Sequence, residues 1–172
     1  MRLNDDFDGA ESLLHSAFQR GREGTGDGLV AARLVGLSAS LAMDQRRLGE
    51  ALEMLEGLPE KYREYGETHL AGRALVKLGI ATFYDDRPQE AAAHVRQGLA
   101  EIDEARDPQL AKIARKNLLD YLVASGEYRE ASRLLLEGNL REAFTGEPVV
   151  LLQLRWVEGK ILAGRRRFPQ AE

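Results

Sequence analysis

An alanine recurs along this chain at Ala10, Ala51, Ala91, Ala131 and Ala171, at intervals of 41, 40, 40 and 40 residues, each time inside one short phrase. The phrases read FDGAES, LGEALE, PQEAAA, YREASR and FPQAE. A large side chain stands three residues ahead of the alanine in four of them (Phe7, Leu48, Tyr128 and Phe168), and Pro88 takes that place in the other. A period of about 20 to 50 residues marks an array in which each unit is too small to bury its own apolar face and covers its neighbour's instead. The feature therefore speaks to architecture and to binding mode, and it leaves the partner unnamed.

The segments between the phrases carry apolar residues at helical spacing, as in Leu70, Ala74, Leu75, Leu78 and Phe83, or Leu110, Ile113, Ala114, Leu118, Leu119 and Leu122. They stop at breakers: Asp85-Asp86-Arg87-Pro88, Ser125-Gly126, and Gly164 followed by three arginines. Each alanine phrase then opens another helix, with apolar residues three and four positions on, such as Met54 and Leu55 or Leu134 and Leu135. Every repeat is thus predicted to be a helical hairpin, and the chain to be all-α.

First helices are expected at about 28–46, 68–85, 108–125 and 148–164, and second helices at about 6–20, 48–65, 88–104 and 128–144. Asp107-Pro108 and Glu147-Pro148 read as helix starts, with an acid near the cap and proline at the first helical position. Pro59 must kink the second helix of its repeat or split it near Gly57, because proline removes a backbone donor and clashes with the preceding turn. The GREGTGDG stretch, residues 21–28, is the most flexible connector expected.

Small residues recur where the two helices of a hairpin should meet. Ala39, Gly79 and Gly159 lie twelve residues before Ala51, Ala91 and Ala171, while Leu119 holds the corresponding place in the third unit. A glycine inside a helix costs about 0.5 to 1 kcal/mol relative to alanine, so its repetition implies that a side chain has no room there. Leu119 predicts a wider crossing.

With Leu78-Gly79, Phe83 and Ala91 in one unit, Leu118, Gly126, Tyr128 and Ala131 in the next, and Gly159, Phe168 and Ala171 in the last, the chain resembles a tetratricopeptide repeat protein. Its period is about six residues longer than the usual one, as in lengthened repeats of bacterial regulatory and signalling proteins. The resemblance covers almost the full length as one domain, with repeats at about 28–65, 68–104, 108–144 and an incomplete 148–172. It implies a right-handed superhelix, or α-solenoid, whose first helices line a concave face. It also implies a piece of a longer protein, since neither end reads as a polar cap. Residues 165–172 are then expected to be poorly ordered or packed against another molecule, and end-on-end self-association becomes an expectation.

Charge sorts by layer in the same frame. The windows 29–46, 68–85, 109–125 and 149–164 hold nine basic and four acidic residues, although the chain as a whole has a net charge of -4. In the tetratricopeptide arrangement the groove-facing residues would be Arg33, Arg73, Lys77, Lys116, Asn117 and Gln153, with Phe83, Tyr84, Trp156 and Lys160 on the same wall. Arg73 and Lys77 are one turn apart and resemble a basic pair that clamps a peptide's terminal carboxylate, though consecutive repeats do not carry the full clamp set. The competing reading is that these cations are solvated, or paired with the Glu and Asp of adjoining helices.

Other chemistry finds little support. There is no cysteine, hence no disulfide, thiolate metal site or catalytic thiol. A pI near 5.5 argues against generic nucleic-acid binding, which needs an excess of Lys and Arg. The acidic start and the lack of a long apolar run argue against a secretory leader or membrane span and favour the cytoplasm. Gly24-Thr25-Gly26-Asp27-Gly28 lacks the strand and the Lys-Ser or Lys-Thr of a phosphate loop and reads as a linker. His15, His69 and His94 lack ligand spacing. Arg165-Arg166-Arg167 reads as a helix C-terminus, and Trp156 and Tyr128 as core residues. The expected function is a non-enzymatic scaffold, without cofactor, that binds a protein or acidic peptide in its groove. The alternative is a sensor or oligomerisation segment of a larger bacterial transcription regulator or signalling protein.

Overall fold

The computed structural model describes residues 6–24 and 26–167, and within them the chain is all-α. The helices are α1 (Phe7–Glu23), α2 (Gly28–Asp44), α3 (Leu48–Leu55), α4 (Leu58–Glu64), α5 (Thr68–Tyr84), α6 (Pro88–Glu101), α7 (Pro108–Ala124), α8 (Tyr128–Glu137), α9 (Leu140–Ala143) and α10 (Pro148–Arg167). The substantial pairings join elements close in sequence: α1 with α2, α2 with α3, α4 with α5, α5 with α6, α6 with α7, α7 with α8, and α8 with α10. The first helices also touch in series, α2 with α5, α5 with α7 and α7 with α10. Among the described residues no helix is long and apolar enough to cross a membrane.

The starts and stops follow from local chemistry. Asp27 and Asp107 cap α2 and α7, accepting from Leu29 N at 2.8 Å and Leu110 N at 3.0 Å, which satisfies amides that have no partner within the helix. Asp6 does the same for α1 through Gly9 N at 2.8 Å. The turn from first to second helix repeats its backbone: Arg46, Asp86 and Gly126, forty residues apart, have φ of 63, 58 and 81°. At each turn the next amide (Arg47, Arg87, Glu127) donates five residues back, to the carbonyl of Ala42, Thr82 or Leu122, at 2.8, 3.2 and 2.8 Å. This is the left-handed helix stop that glycine adopts without penalty and other residues adopt at a cost.

Two second helices depart from expectation. The one over 48–65 is split rather than kinked: α3 ends at Leu55, Gly57 turns left-handed (φ 72°), and α4 restarts with Pro59 in its first turn. The one over 128–144 was expected to be continuous but breaks between α8 and α9, where Asn139 has φ 46°. Also, α6 ends at Glu101 because Ile102 is extended, α1 runs on to Glu23, and residues 165–167 form the last turn of α10. Phe168, Ala171 and the remainder of 168–172 lie outside the described residues.

Small residues set the closest packing. Ala39, Ala51, Ala91 and Ala131 are fully buried. A Cβ built on Gly79 would stand 2.5 Å from Val95 Cγ2 and 3.0 Å from Ala91 O, so the expected close approach at Gly79 is real. A closer approach to backbone lies two turns away, where a Cβ on Gly72 would be 2.8 Å from Gly98 O and 2.9 Å from Ile102 N. The expected approach of Gly159 to the helix of Ala171 lies outside the described residues, and among those described Gly159 is exposed with nothing within 4 Å. At the third unit the buried Leu119 fills the interface, and α7 and α8 associate less extensively than α5 and α6.

The core is divided by α5. Ala71, Ala74 and Ala81 join Ala32, Leu55, Leu58 and Tyr62 on one side, while Val76 joins Val95, Leu119, Leu122, Leu154 and Ile161 on the other. Full burial of a side chain such as Leu55 or Leu122 contributes about 1.5 to 3 kcal/mol. Polar links tie each hairpin to the next: Arg33 to Glu67 at 3.2 Å, Arg63 to Glu101 at 2.6 Å, Arg96 to Glu130 at 3.0 Å and Lys112 to Glu147 at 2.7 Å. The buried His69 accepts from Asp103 N at 3.1 Å, so it pins the α6–α7 link rather than facing a ligand.

Candidate functional site

Eight of the ten groove residues expected from sequence fall into two pockets on the series of first helices. The first, of ≈240 Å³, lies where α2 meets α5 above α4. Arg33 and Leu37 come from α2, Leu58 and Tyr62 from α4, and Leu70, Arg73, Ala74 and Lys77 from α5. The second, of ≈330 Å³, takes Phe83 from α5, Lys116, Asp120, Val123 and Ala124 from α7, and Gln153, Trp156, Val157 and Lys160 from α10.

In the first pocket a glycine leaves the space open. Gly36 is buried, and a Cβ there would stand 3.1 Å from Tyr62 Oη and 3.5 Å from Leu58 Cδ2. Tyr62 Oη donates to Ala32 O at 3.1 Å, which fixes the ring as one wall. Lys77 Nζ donates to Ser40 Oγ at 2.6 Å and to Gly36 O at 3.0 Å, and Ser40 Oγ in turn donates to Gly36 O at 3.0 Å. Burial holds the Lys77 ammonium below the usual lysine range, and the Arg73 charge adds to the effect, opposed by Asp44. Burial also raises the Tyr62 hydroxyl, against the lowering influence of Arg33 and Arg73.

The three cations differ in what compensates them. Arg33 is bridged to Glu67 at 3.2 Å. Arg73, exposed on α5, makes no hydrogen bond or ion pair with the described residues, and Lys77 has hydrogen bonds but no carboxylate. Paired charge therefore describes Arg33, solvated charge describes the exposed Arg73, and Lys77 is half-buried with hydrogen bonds but no carboxylate.

The second pocket is closer to neutral. Lys116 is paired with Asp120 at 2.7 Å, and Lys160 Nζ sits 3.7 Å from the centroid of the Trp156 ring, a cation–π contact. Phe83 stacks on Tyr121 at 4.3 Å, which presents one aromatic edge to the pocket. Trp156, expected in the core, is 63% exposed, because the buried stripe of α10 runs through Leu154, Val157 and Ile161 instead. Tyr128 does pack against the core.

Two expected residues line neither pocket. Tyr84 is exposed at the end of α5, with the Arg46 guanidinium 5.5 Å above its ring, and Asn117 is half-buried on α7. Sequence reasoning missed the apolar floor of the first pocket, Leu37, Leu58, Tyr62 and Leu70. Gly36, a glycine inside a helix like Gly79, was the available signal. Among the described residues no cluster of His, Asp or Glu is arranged to hold a metal ion. No protein-family model matches this chain, and neither a curated protein nor a solved structure matches it.

Proposed function

We propose that this protein is an interaction module of the tetratricopeptide kind, a right-handed superhelix that binds an acidic protein or peptide segment along the faces of α2, α5, α7 and α10. The observation that carries the reading is the convergence of Arg33, Arg73 and Lys77 on one pocket and of Phe83, Lys116, Gln153, Trp156 and Lys160 on another. Pairing between neighbouring hairpins, the repeated left-handed turns at 46, 86 and 126, and polar links spanning 34 to 38 residues support the superhelical arrangement. In this reading Arg73 and Lys77 set orientation through charge, and the Trp156 pocket supplies an apolar anchor.

A panel of acidic peptides read by fluorescence anisotropy tests it. A peptide that binds should weaken at least tenfold against Arg73→Glu/Lys77→Glu and should weaken with salt; unchanged affinity in the double variant rejects the groove. A second reading, an oligomerisation or sensor segment, draws on one face of α10, where Val149, Leu152 and Trp156 are 70, 68 and 63% exposed at spacings of three and four residues. Light scattering of Leu152→Glu beside the wild type separates the two readings.

A further inference from the structure

The first pocket combines two features that a groove contact alone does not need. Its walls are the apolar side chains of Leu37, Leu58, Leu70 and Ala74 and the ring of Tyr62, whose hydroxyl is already committed to Ala32 O. Its rim holds Arg73 and Lys77, one helical turn apart and without a carboxylate between them among the described residues. Lys77 uses two of its three protons on Ser40 Oγ and Gly36 O, which leaves one to donate. A polar tail, such as a sugar, would lie mostly against the apolar side chains of Leu37, Leu58, Leu70 and Ala74. A dianion such as phosphate would lie beside the Glu67 carboxylate that holds Arg33.

We propose that this pocket binds a small aliphatic monocarboxylate, its carboxylate between Arg73 and Lys77 and its chain against Leu37, Leu58, Leu70 and Tyr62. A cavity of ≈240 Å³ has room for a short alkyl chain, for which hexanoate is the probe. The anion supplies the negative charge that the pair lacks, and the hydrogen bonds it accepts from the guanidinium and the ammonium are charge-assisted. The chain covers Leu37, which is otherwise 55% exposed. The site shares Arg73 and Lys77 with the proposed groove, so an occupant would compete with an acidic segment there. It does not depend on that segment, because the probe that tests it is the free acid alone.

The experiment is titration of the full chain with acetate, hexanoate, decanoate and hexanol, followed by amide NMR and calorimetry. Hexanoate should bind in the roughly millimolar range expected for so few atoms, with shifts concentrated at Gly36, Leu37 and Ala74. Acetate and hexanol should bind at least tenfold more weakly than hexanoate, since each lacks one half of the recognition, and decanoate should bind at least as tightly as hexanoate. Arg73→Gln, at an exposed position that leaves the fold intact, should weaken hexanoate at least tenfold, and Lys77→Met should do the same. Absence of shifts at Gly36 and Ala74 at saturating hexanoate overturns the proposal. So does equal binding of hexanol, or hexanoate binding that survives Arg73→Gln unchanged. Failure here with intact peptide binding would remove this site and leave the groove; failure of the peptide panel with hexanoate bound would do the reverse.

Discussion

Replacing Gly72 by alanine sets two opposed effects against each other, and the structure decides which wins. Alanine in a helix interior is favoured over glycine by about 0.5 to 1 kcal/mol. At Gly72, however, the added Cβ would meet Gly98 O at 2.8 Å, Ile102 N at 2.9 Å and Ile102 Cγ1 at 3.0 Å, where ordinary contact begins at 3.4 Å. Two of the three obstacles are backbone, so no rotamer change relieves them, and α5 and α6 must separate by about half an ångström. Overpacking of this kind costs about 1 to 3 kcal/mol, which leaves a net loss of about 1 to 2 kcal/mol. Gly159→Ala is the matched control: the position is exposed inside α10 with nothing described within 4 Å, so the helical preference acts alone and stability should rise by about 0.5 to 1 kcal/mol. Urea unfolding followed by far-UV circular dichroism reads both, as opposite shifts in midpoint at unchanged slope. A Gly72→Ala protein as stable as, or more stable than, the wild type would refute the argument that glycine is there to let two backbones touch.

Further outcomes follow from the repeated turns and the buried phenols. Asp86→Gly should gain about 1 kcal/mol and Gly126→Ala should lose about the same, because both sit at φ near 58 and 81° in equivalent turns; equal stability of the two variants in urea would show that the left-handed backbone is not strained. Burial raises the Tyr121 phenol well above its ordinary 10.0, with Asp120 and Tyr84 adding to it. A raised acid pKa means that stability is intact below pH 10.0 and is lost as the pH climbs beyond it, since only the unfolded chain ionises there. The absorbance difference at 295 nm between wild type and Tyr121→Phe should therefore appear only above that pH and together with loss of helical ellipticity. A difference centred on the ordinary value with the helices intact would contradict it.

The hairpin frame was legible because its signals are local. The alanine phrase, the acid–proline starts at Asp107-Pro108 and Glu147-Pro148, and the stops after Tyr84 and Ala124 each act within a few residues, and the structure keeps their positions to within a few residues. The break at Asn139 was also local, a Gly-Asn pair that suits a left-handed turn, yet the apolar spacing of Leu134, Leu135 and Leu140 masked it. Gly72 and Gly98 went unread because Gly72 has no counterpart forty residues away and Gly98 has one only at Gly138, and their meaning arises only when two helices face each other. For the site, the cations were legible from spacing, since Arg33 and Arg73 are forty residues apart and Lys77 is one turn on. The floor was not, because Leu58 and Tyr62 reach it only through the redirection of α4 at Gly57. Trp156 was misplaced because α10 has apolar residues on more than one face, so periodicity does not say which face is covered.

Net charge by layer is a poor guide to where an anion would bind, and pairing shows why. Several cations of the first helices are answered one hairpin on or one turn on: Arg33 by Glu67, Lys112 by Glu147, Lys116 by Asp120. Such exposed pairs contribute only about 0.2 to 1 kcal/mol each to stability, but they cancel charge where it would otherwise attract a ligand. Arg73 and Lys77 are the two cations of the first pocket left without a carboxylate among the described residues. Lys77 is the more informative of the two, because its half-buried ammonium is held below the usual lysine range by burial and is bonded to Ser40 Oγ and Gly36 O rather than to a carboxylate. An ammonium so held, one turn from a second cation without a carboxylate partner and beside an apolar pocket, is the arrangement on which the proposed site for an amphipathic anion rests.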